Sequence, residues 1–318
     1  MIRRDLLASL LAGTALHRCA PAASLLRLVV PSAPGGTGDL LPRLFAPHLR
    51  TEPGEAVIVE NRPGAGGRIG ALHVAHAGSG EAVLCAANVS TFAVYPALAR
   101  RPAYDPFSDF TPVTTLVDAP NVLCLGPGAS ASTLDALVAK AQAGNEWAYA
   151  SPGVGSLGHL LGLLFNHATG AKLRHVPYRG AGPALQDVVA GHVPVLFDNL
   201  PASLPHIRAG RLRPLLVAAP ARLPFLPKVP TFGESGLQDL NHPAWFGLAA
   251  PPGWPHYKVR GVVEAVQRAQ QQVAVHSRLL ELGTLPADAG PEGLNRRIRE
   301  AMARYGTLGR RAGVILED

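Results

Sequence analysis

Cysteine, charge and aromatic residues are all scarce in this sequence. Its 318 residues include 3 Cys, the charged fraction is 16%, and the aromatic fraction is 6%. So few cysteines cannot supply the disulfide framework of a small secreted domain, and their spacing matches no zinc site. No carboxylates are paired in glycine-rich surroundings. The shortage of charged catalytic machinery favours binding over catalysis, and we expect neither a cofactor nor a metal.

Basic clusters are also missing. The net charge of +7 is spread along the chain without a Lys/Arg run. Nucleic-acid-binding proteins usually carry a clustered basic stripe, so we expect no nucleic-acid partner. A diffuse positive field suits the attraction of anionic solutes.

The first 22 residues predict an export signal. Arg3 and Arg4 form a basic start, Leu6–Leu16 is an apolar stretch too short to span a bilayer, and Ala20–Ala22 is a small-residue cleavage site. A secretory leader and a twin-arginine leader both stay open. A lipoprotein anchor at Cys19 is disfavoured because an arginine precedes it. No later segment is apolar enough to cross a membrane, so we expect a periplasmic mature protein.

The remaining cysteines are Cys85 and Cys124, each within an apolar, strand-like run. A small hydrophobic residue in such a run predicts a buried free thiol. A disulfide between them is the alternative in an oxidising compartment.

Apolar residues (47%), Gly (34) and Pro (30) are plentiful, and the length allows two domains. Apolar, strand-like runs predict strands at 26–30, 56–60, 82–87, 111–117, 122–125, 147–151, 173–176, 193–198, 213–218 and 245–249. Helical periodicity predicts helices near 40–49, 68–76, 133–143, 157–165, 183–190, 256–282 and 294–311. This alternation indicates parallel α/β sheets. We place domain crossings near Leu123–Gly128 and Ala218–Pro224, which gives a discontinuous first lobe, 23–124 plus 223–318, and a second lobe, 125–222.

Two segments of similar design stand more than a hundred residues apart, Leu26–Arg43 and Trp147–Leu161. Each has a strand, a glycine-containing loop and an amphipathic helix, an arrangement that leaves backbone N–H groups free for an anion. In the first loop, Gly35 and Gly36 permit close backbone approach, and Thr37 can cap the helix. We therefore expect two lobes that grip one small acidic molecule.

The second loop also fits the dinucleotide pattern GxGxxG at Gly153, Gly155 and Gly158. An NADP-dependent oxidoreductase is therefore the alternative function. No acid follows the next strand, although Arg179 in that region suits a 2′-phosphate. Ser156 does not sit in the GxSxG elbow of a serine hydrolase, and His159 is interpreted as a helix-face or hinge residue.

A third glycine loop runs from Tyr178 to Leu185. Tyr178 can pack on a ligand, while Arg179 is either a carboxylate partner or a solvated surface charge. Ser90 and Thr91 can add hydroxyls from the first lobe. Asp198 can orient a water or the third loop, since direct contact with an acid would be repulsive.

In this order the loops resemble those of the periplasmic receptors of tripartite tricarboxylate transporters, the Bug receptors. The resemblance covers the chain from about residue 26 almost to its end, through segments that include VVPSAPGGTGDLLPRLFAPHL, VIVENRPGAGGRIGA, YASPGVGSLGHLLGLLF and HVPYRGAGPALQDVVAGHVPVLFDN. It implies a type II periplasmic-binding-protein fold, with two Rossmann-like α/β lobes around a cleft that captures a small carboxylate without catalysis. It also implies a membrane permease or a sensor protein as partner, and we expect a monomer. A receptor for an amino acid, an amide or an aromatic acid is the rival within this class.

The resemblance carries over ligand contacts residue by residue. In the first lobe they are Ala33, Pro34, Gly35, Gly36, Thr37, Ser90 and Thr91, and in the second lobe Ser151, Gly153, Val154, Gly155, Ser156, Tyr178, Gly180 and Ala181, with Asp198 in support. The chain departs from the family pattern at Gly78–Cys85. It also departs at Ser32 and Pro34, where Phe and Ala are frequent in the family. Because Pro34 lacks a backbone N–H, the carboxylate is held there with one fewer donor, or differently.

Overall fold

The computed structural model describes residues 25–50, 55–144, 147–287 and 289–316. The predicted leader lies outside the described residues. Within the ranges that the model describes, no helix has both the length and the apolar character needed to cross a membrane.

The described chain alternates strands and helices. The strands are β1 Leu25–Val30, β2 Ala56–Asn61, β3 Val83–Asn88, β4 Thr111–Ala119, β5 Asn121–Leu125, β6 Ala148–Ser151, β7 Arg174–Pro177, β8 Val195–Asn199, β9 Arg213–Val217 and β10 Ala244–Ala250. The α-helices are α1 Thr37–Phe45, α2 Arg68–Ala75, α3 Tyr95–Leu98, α4 Leu134–Gln142, α5 Leu157–Thr169, α6 Ala181–Val189, α7 Leu200–Arg208, α8 His256–Gln271, α9 Val273–Glu281 and α10 Pro291–Arg311. Short 3₁₀ turns occupy Ala46–His48, Ala65–Gly67 and Gln238–Leu240, and a π-helical turn occupies Ser90–Val94.

The strands form two five-stranded sheets of the same design. Their orders are β2-β1-β3-β10-β4 and β7-β6-β8-β5-β9. In each sheet the first three strands are parallel, and the fourth runs antiparallel to its neighbours. The prediction of wholly parallel sheets is therefore wrong for β5 and β10. These strands enter their sheet directly from the other lobe, without the crossover that returns a strand in the same direction.

The chain changes sheets between Ala119 and Asn121, because β5 pairs entirely within the second sheet. This crossing lies a few residues before the predicted Leu123–Gly128. The apolar runs of β4 and β5 are separated by Pro120 alone, so hydrophobicity did not mark the boundary. The chain returns to the first sheet between β9 and β10. The first lobe is therefore built from both ends of the described chain.

The predicted helix over 256–282 is two helices. Gln272 has extended backbone angles, φ −69° and ψ 129°, and separates α8 from α9. No Gly or Pro stands at the break, so the sequence lacks the usual signal for a helix end.

The two cysteines in the described ranges lie one in each lobe. Cys85 is in β3 and Cys124 in β5, and both are buried and free. Burial in apolar surroundings raises the pKa of both thiols. The prediction of buried free thiols is confirmed.

Candidate functional site

A cavity of about 300 Å³ lies between the lobes at the carboxyl ends of six strands. The lining residues follow β1, β2 and β3 in the first lobe and β6, β7 and β8 in the second, and Phe246 of β10 completes the wall. They are Pro31, Ser32, Gly38, Pro63–Gly67, Asn88–Ser90, Pro152–Val154, Ser156, Pro177–Ala181, Asn199 and Phe246. In open α/β sheets this edge is where ligands bind.

Because the strand orders of the two sheets are equivalent, each cavity loop of the first lobe corresponds to one cavity loop of the second. The loop after β1 corresponds to the loop after β6, which are the two similar segments of the sequence. The loop after β2, Pro63–Gly67, corresponds to the third glycine loop after β7. Asn88 at the end of β3 corresponds to Asn199 at the end of β8. Each lobe thus contributes three loops of one design.

The N-termini of α1 and α6, one from each lobe, meet beside the cavity. Gly36, the N-cap of α1, packs so closely on α6 that a Cβ at Gly36 would lie 2.7 Å from the Cβ of Ala181. Gly38 of α1 and Ala181 of α6 both line the cavity. Helix N-termini carry partial positive charge and free N–H groups, so this point of the wall is suited to an anion.

The described cavity wall carries one charged side chain, and its charge is positive. Arg179 is exposed and is the only charged side chain among the described lining residues, and no described carboxylate lines the cavity with it. Tyr178 does not present its hydroxyl, because the hydroxyl donates to Asp187 Oδ2 at 2.6 Å. Within the described ranges no three His, Cys, Asp or Glu side chains are grouped to hold a metal ion.

Some of the predicted contact residues lie on the cavity wall, and others do not. Those that line it are Ser90, Gly153, Val154, Ser156, Tyr178, Gly180 and Ala181. Those that do not are Ala33, Pro34, Gly35, Gly36, Thr37, Thr91, Ser151, Gly155 and Asp198.

The first loop forms the seam between the lobes. Ala33 packs on Gly180, and the main-chain oxygen of Pro34 lies against Gly182. Thr37 was predicted as a helix cap, but α1 is preceded by Gly36 and has no side-chain cap. The Thr37 hydroxyl instead bonds across the seam: it donates to the Asn199 carbonyl at 3.3 Å and accepts the Ala202 amide at 3.1 Å. The capping prediction is wrong because the Thr37 hydroxyl forms its hydrogen bonds with the second lobe and not with the N-terminus of α1.

The side chain of Asp39 fixes the conformation of the first loop. Its carboxylate accepts the Gly35 amide at 3.1 Å, Arg43 Nε at 2.8 Å and Asn61 Nδ2 at 2.8 Å. It is buried, and its donors come from the loop, from α1 and from β2. Asp39 therefore ties the first loop, α1 and β2 together.

Two backbone N–H groups of the second loop donate hydrogen bonds within their own lobe. The Gly153 amide donates to Ser151 Oγ at 3.1 Å, and the Gly155 amide to His159 Nδ1 at 3.4 Å. These N–H groups were predicted to face the ligand, and in this conformation they hold the turn. Gly66 of the first lobe packs on the same turn, where a Cβ would lie 2.6 Å from the Val154 oxygen.

Two stacked imidazoles support this turn. The rings of His159 and His175 have centroids 4.2 Å apart, and His175 Nε2 lies 2.6 Å from Ser151 Oγ. Burial lowers the pKa of each ring to about 4, and for His175 the neighbouring His159 adds to the effect. His159 thus lies on the helix face and positions the glycine turn.

The remaining predicted residues have separate places. Ser90 Oγ accepts the Leu157 amide from the second lobe at 3.0 Å, whereas the Thr91 hydroxyl donates to the Asn88 carbonyl at 3.3 Å. Asp198 lies outside the cavity wall, where its Oδ2 accepts the Ser203 hydroxyl at 2.7 Å. Burial raises the pKa of Asp198 to about 6.

Sequence reasoning missed part of the lining: Pro31, Ser32, Gly38, Pro63–Gly67, Asn88, Val89, Pro152, Pro177, Asn199 and Phe246. Two signals were available for some of them. The segment NRPGAGG stands between a strand and a helix, as the chosen loops do, and Asn88 and Asn199 each end a strand before a helical turn. Arg179, left open between ligand contact and surface charge, is exposed and at the cavity wall.

Comparison with known proteins agrees with this architecture. A family model described as "Tripartite tricarboxylate transporter family receptor" matches residues 41–314. BugT of Bordetella pertussis is 34% identical over 294 residues, which cover 92% of this chain and 90% of that protein.

Solved structures match over nearly the whole fold. An R. palustris protein solved with adipate is 32% identical with a TM-score of 0.86, over 92% of this chain and 98% of that one. MatC from Rhodopseudomonas palustris with bound malate is 33% identical with a TM-score of 0.85, over 90% and 98% of the two chains. These likenesses confirm the predicted periplasmic-binding-protein fold and give no support to an oxidoreductase. This chain is therefore a solute-binding receptor of the tripartite tricarboxylate transporter receptor family.

Proposed function

We propose that this receptor captures a small organic carboxylate in the cavity between its lobes. The observation that carries the proposal is the meeting of the α1 and α6 N-termini at a wall where Arg179 is the one described charge. Three cationic features thus converge, and no described acid lines the cavity with them. The carboxylate of Asp39 at the start of α1 is buried and already bonded to Gly35, Arg43 and Asn61. Relatives solved with adipate and malate support the same ligand class.

Side-chain chemistry favours a ligand carboxylate at Arg179. No described residue pairs with its guanidinium, which is exposed at the cavity wall. A guanidinium binds a carboxylate through two parallel hydrogen bonds, and each helix terminus adds about 0.3–1 kcal/mol. Together these contacts are compatible with micromolar affinity, about −8 kcal/mol.

Lobe closure is the proposed mechanism of capture. The lobes meet through the Leu157 amide and Ser90 Oγ, through Thr37 and the α7 N-terminus, and through close glycine contacts. A ligand that touches both lobes stabilises the closed arrangement by its differential affinity for it. No step of this cycle breaks a covalent bond, so the receptor works without catalysis.

The receptor delivers its ligand to a membrane permease of a tripartite transporter, or to a sensor protein. In this proposal the N-terminal 22 residues direct export and are removed, and the mature chain acts as a periplasmic monomer. The candidate site residues remain those on the cavity wall, together with the first loop at the seam.

The experiment is calorimetric titration of the chain that starts at residue 23 with mono- and dicarboxylates of four to six carbons, and with NADPH. We expect saturable binding of at least one acid and none of NADPH. Arg179→Gln should weaken acid binding about tenfold or more. Arg174→Gln, an exposed arginine of the same lobe that does not line the cavity, is the matched control and should bind as the wild type does. Binding of NADPH without any acid would overturn the proposal.

A further inference from the structure

We infer that Ser32, Asn88 and Asn199 form a subsite for a hydroxyl group of the ligand, so that the receptor prefers a hydroxy acid to the corresponding acid without the hydroxyl. This inference rests on the proposed carboxylate-binding function and narrows its ligand class.

Ser32, Asn88 and Phe246 form a row at the cavity edge of three neighbouring strands, β1, β3 and β10. The register of β1 with β3 pairs Val29 with Cys85, three residues before Ser32 and Asn88 respectively. The register of β10 with β3 pairs Phe246 with Asn88. All three residues line the cavity. The row is therefore a first-lobe floor that combines two polar side chains with an aromatic ring.

The floor carries hydrogen-bonding groups that the described protein leaves unused. Ser32 Oγ is buried and has no hydrogen-bond partner among the described residues. Asn88 Oδ1 accepts the amides of Ser90 and Thr91 at 2.9 and 3.2 Å. These two bonds fix the orientation of the carboxamide, so its Nδ2 is left as a donor with no partner among the described residues. Ser32 Oγ carries the cost of a buried polar group without a partner. Because Ser32 lines the cavity, a rotation of its side chain toward a bound ligand oxygen would remove that cost, while Asn88 Nδ2 is the donor already open to the ligand.

Asn199 supplies the complementary acceptor from the second lobe. Asn121 Nδ2 donates to the His242 carbonyl at 2.8 Å, which directs Asn121 Oδ1 toward Asn199. Asn199 Nδ2 donates to that oxygen at 2.6 Å. Asn199 Oδ1 is then the free end, and no described residue donates to it. Because a hydroxyl both donates and accepts, these groups match a hydroxyl better than a second carboxylate, which only accepts.

The subsite lies next to the helix termini that attract the carboxylate. A Cβ at Gly38, in the first turn of α1, would lie 2.9 Å from Ser32 Oγ and 3.9 Å from Phe246 Cε1. The Asn199 carbonyl accepts the hydroxyl of Thr37, the neighbour of Gly38. The hydroxyl that the subsite takes is therefore close to the bound carboxylate, as in a 2-hydroxy acid.

The experiment compares acids that differ by one hydroxyl, by calorimetric titration of the chain that starts at residue 23. The pairs are malate with succinate, 2-hydroxyglutarate with glutarate, and 2-hydroxyadipate with adipate. We expect the hydroxy acid of the best-binding pair to bind about tenfold more tightly than its partner, the effect of one good hydrogen bond. Ser32→Ala should reduce that ratio toward one while the chain still binds the unsubstituted acid. Ser79→Ala, at an exposed first-lobe position, is the control and should keep the ratio.

The outcomes separate the two proposals. If acids bind but hydroxy and unsubstituted acids bind equally, the hydroxyl subsite is wrong and the carboxylate function stands. If the ratio is high in the wild type and unchanged in both Ser32→Ala and Asn88→Asp, the hydroxyl is recognised elsewhere and the subsite is also wrong. If no acid binds at all, the proposed function fails and the subsite falls with it.

Discussion

Gly182 in the second lobe packs its backbone directly against the main-chain oxygen of Pro34 in the first lobe. The contact has no room for a methyl group, and it lies where the N-termini of α1 and α6 meet. The close fit of the two lobes at this point therefore requires glycine at position 182, because any side chain there would overlap the Pro34 oxygen. This makes lobe closure testable by a single small substitution.

Gly182→Ala should weaken ligand binding by preventing full closure. The added Cβ would overlap the Pro34 oxygen, and overpacking of this kind costs about 1–3 kcal/mol, roughly five- to 150-fold in affinity. Gly182 does not need a positive φ, so the alanine is compatible with α6 and the free energy of unfolding without ligand should change little. Titration with the best acid measures the effect. Gly80→Ala, at a position with open space around it, is the control, and equal losses in both variants would contradict the explanation.

The stacked pair His159 and His175 should make the protein lose stability in acid. Each ring has a folded-state pKa of about 4, against a usual value of 6.5. The unfolded chain therefore binds protons first as the pH falls, and stability is lost between pH 6.5 and about 4. With partial exposure taken into account, the loss is about 2 kcal/mol per ring at most. Urea unfolding at several pH values measures it.

The double variant His159→Gln/His175→Gln should lose less stability over that pH range than the wild type. His167→Gln, at an exposed position of α5, should keep the wild-type slope. An unaltered slope in the double variant would show that the pair does not titrate as the geometry implies.

Asp198 should contribute with the opposite sign. Burial raises its pKa from 3.8 to about 6, so the folded protein holds a proton that the unfolded chain has already released. Its contribution is present below pH 3.8 and is lost as the pH rises through about 6. The loss is at most about 3 kcal/mol. Asp198→Asn should remove this dependence, and the difference in unfolding free energy between variant and wild type should change between pH 4 and 7. A constant difference would mean that the carboxyl titrates normally.

The thiols of Cys85 and Cys124 should be unreactive in the folded protein. Both are buried, and burial raises the pKa of each thiol, so the reactive thiolate is suppressed. The chain that starts at residue 23 should give no rapid reaction with a thiol-specific disulfide reagent until denaturant is added, and then two thiols per chain. Fast reaction of either thiol in the native protein would contradict the burial.

Local pattern predicted most of the elements and the glycine loops. Strand runs such as Leu26–Val30 and helix faces such as that of α5 follow from the spacing of apolar residues along the chain, which a single sequence displays. The antiparallel insertion of β5 and β10 was not predictable in this way, because strand direction depends on which lobe the chain enters. The break at Gln272 was missed for a related reason, since no local breaker marks it.

The sequence by itself determined two α/β lobes, glycine turns at strand ends, buried thiols and a positive balance of charge. Only the tertiary structure decided which turns face the cavity. It turned the predicted donors Gly153 and Gly155 toward Ser151 and His159, and it placed Ser32 and Asn88 at the wall. The physical reason is that the direction of a backbone N–H depends on the partner that captures it. Ser151 and His159 lie only two and four residues from these donors. The directions of their side chains, however, are set by packing against other elements, as the stacking of His159 on His175 of β7 shows, and a sequence pattern does not display them.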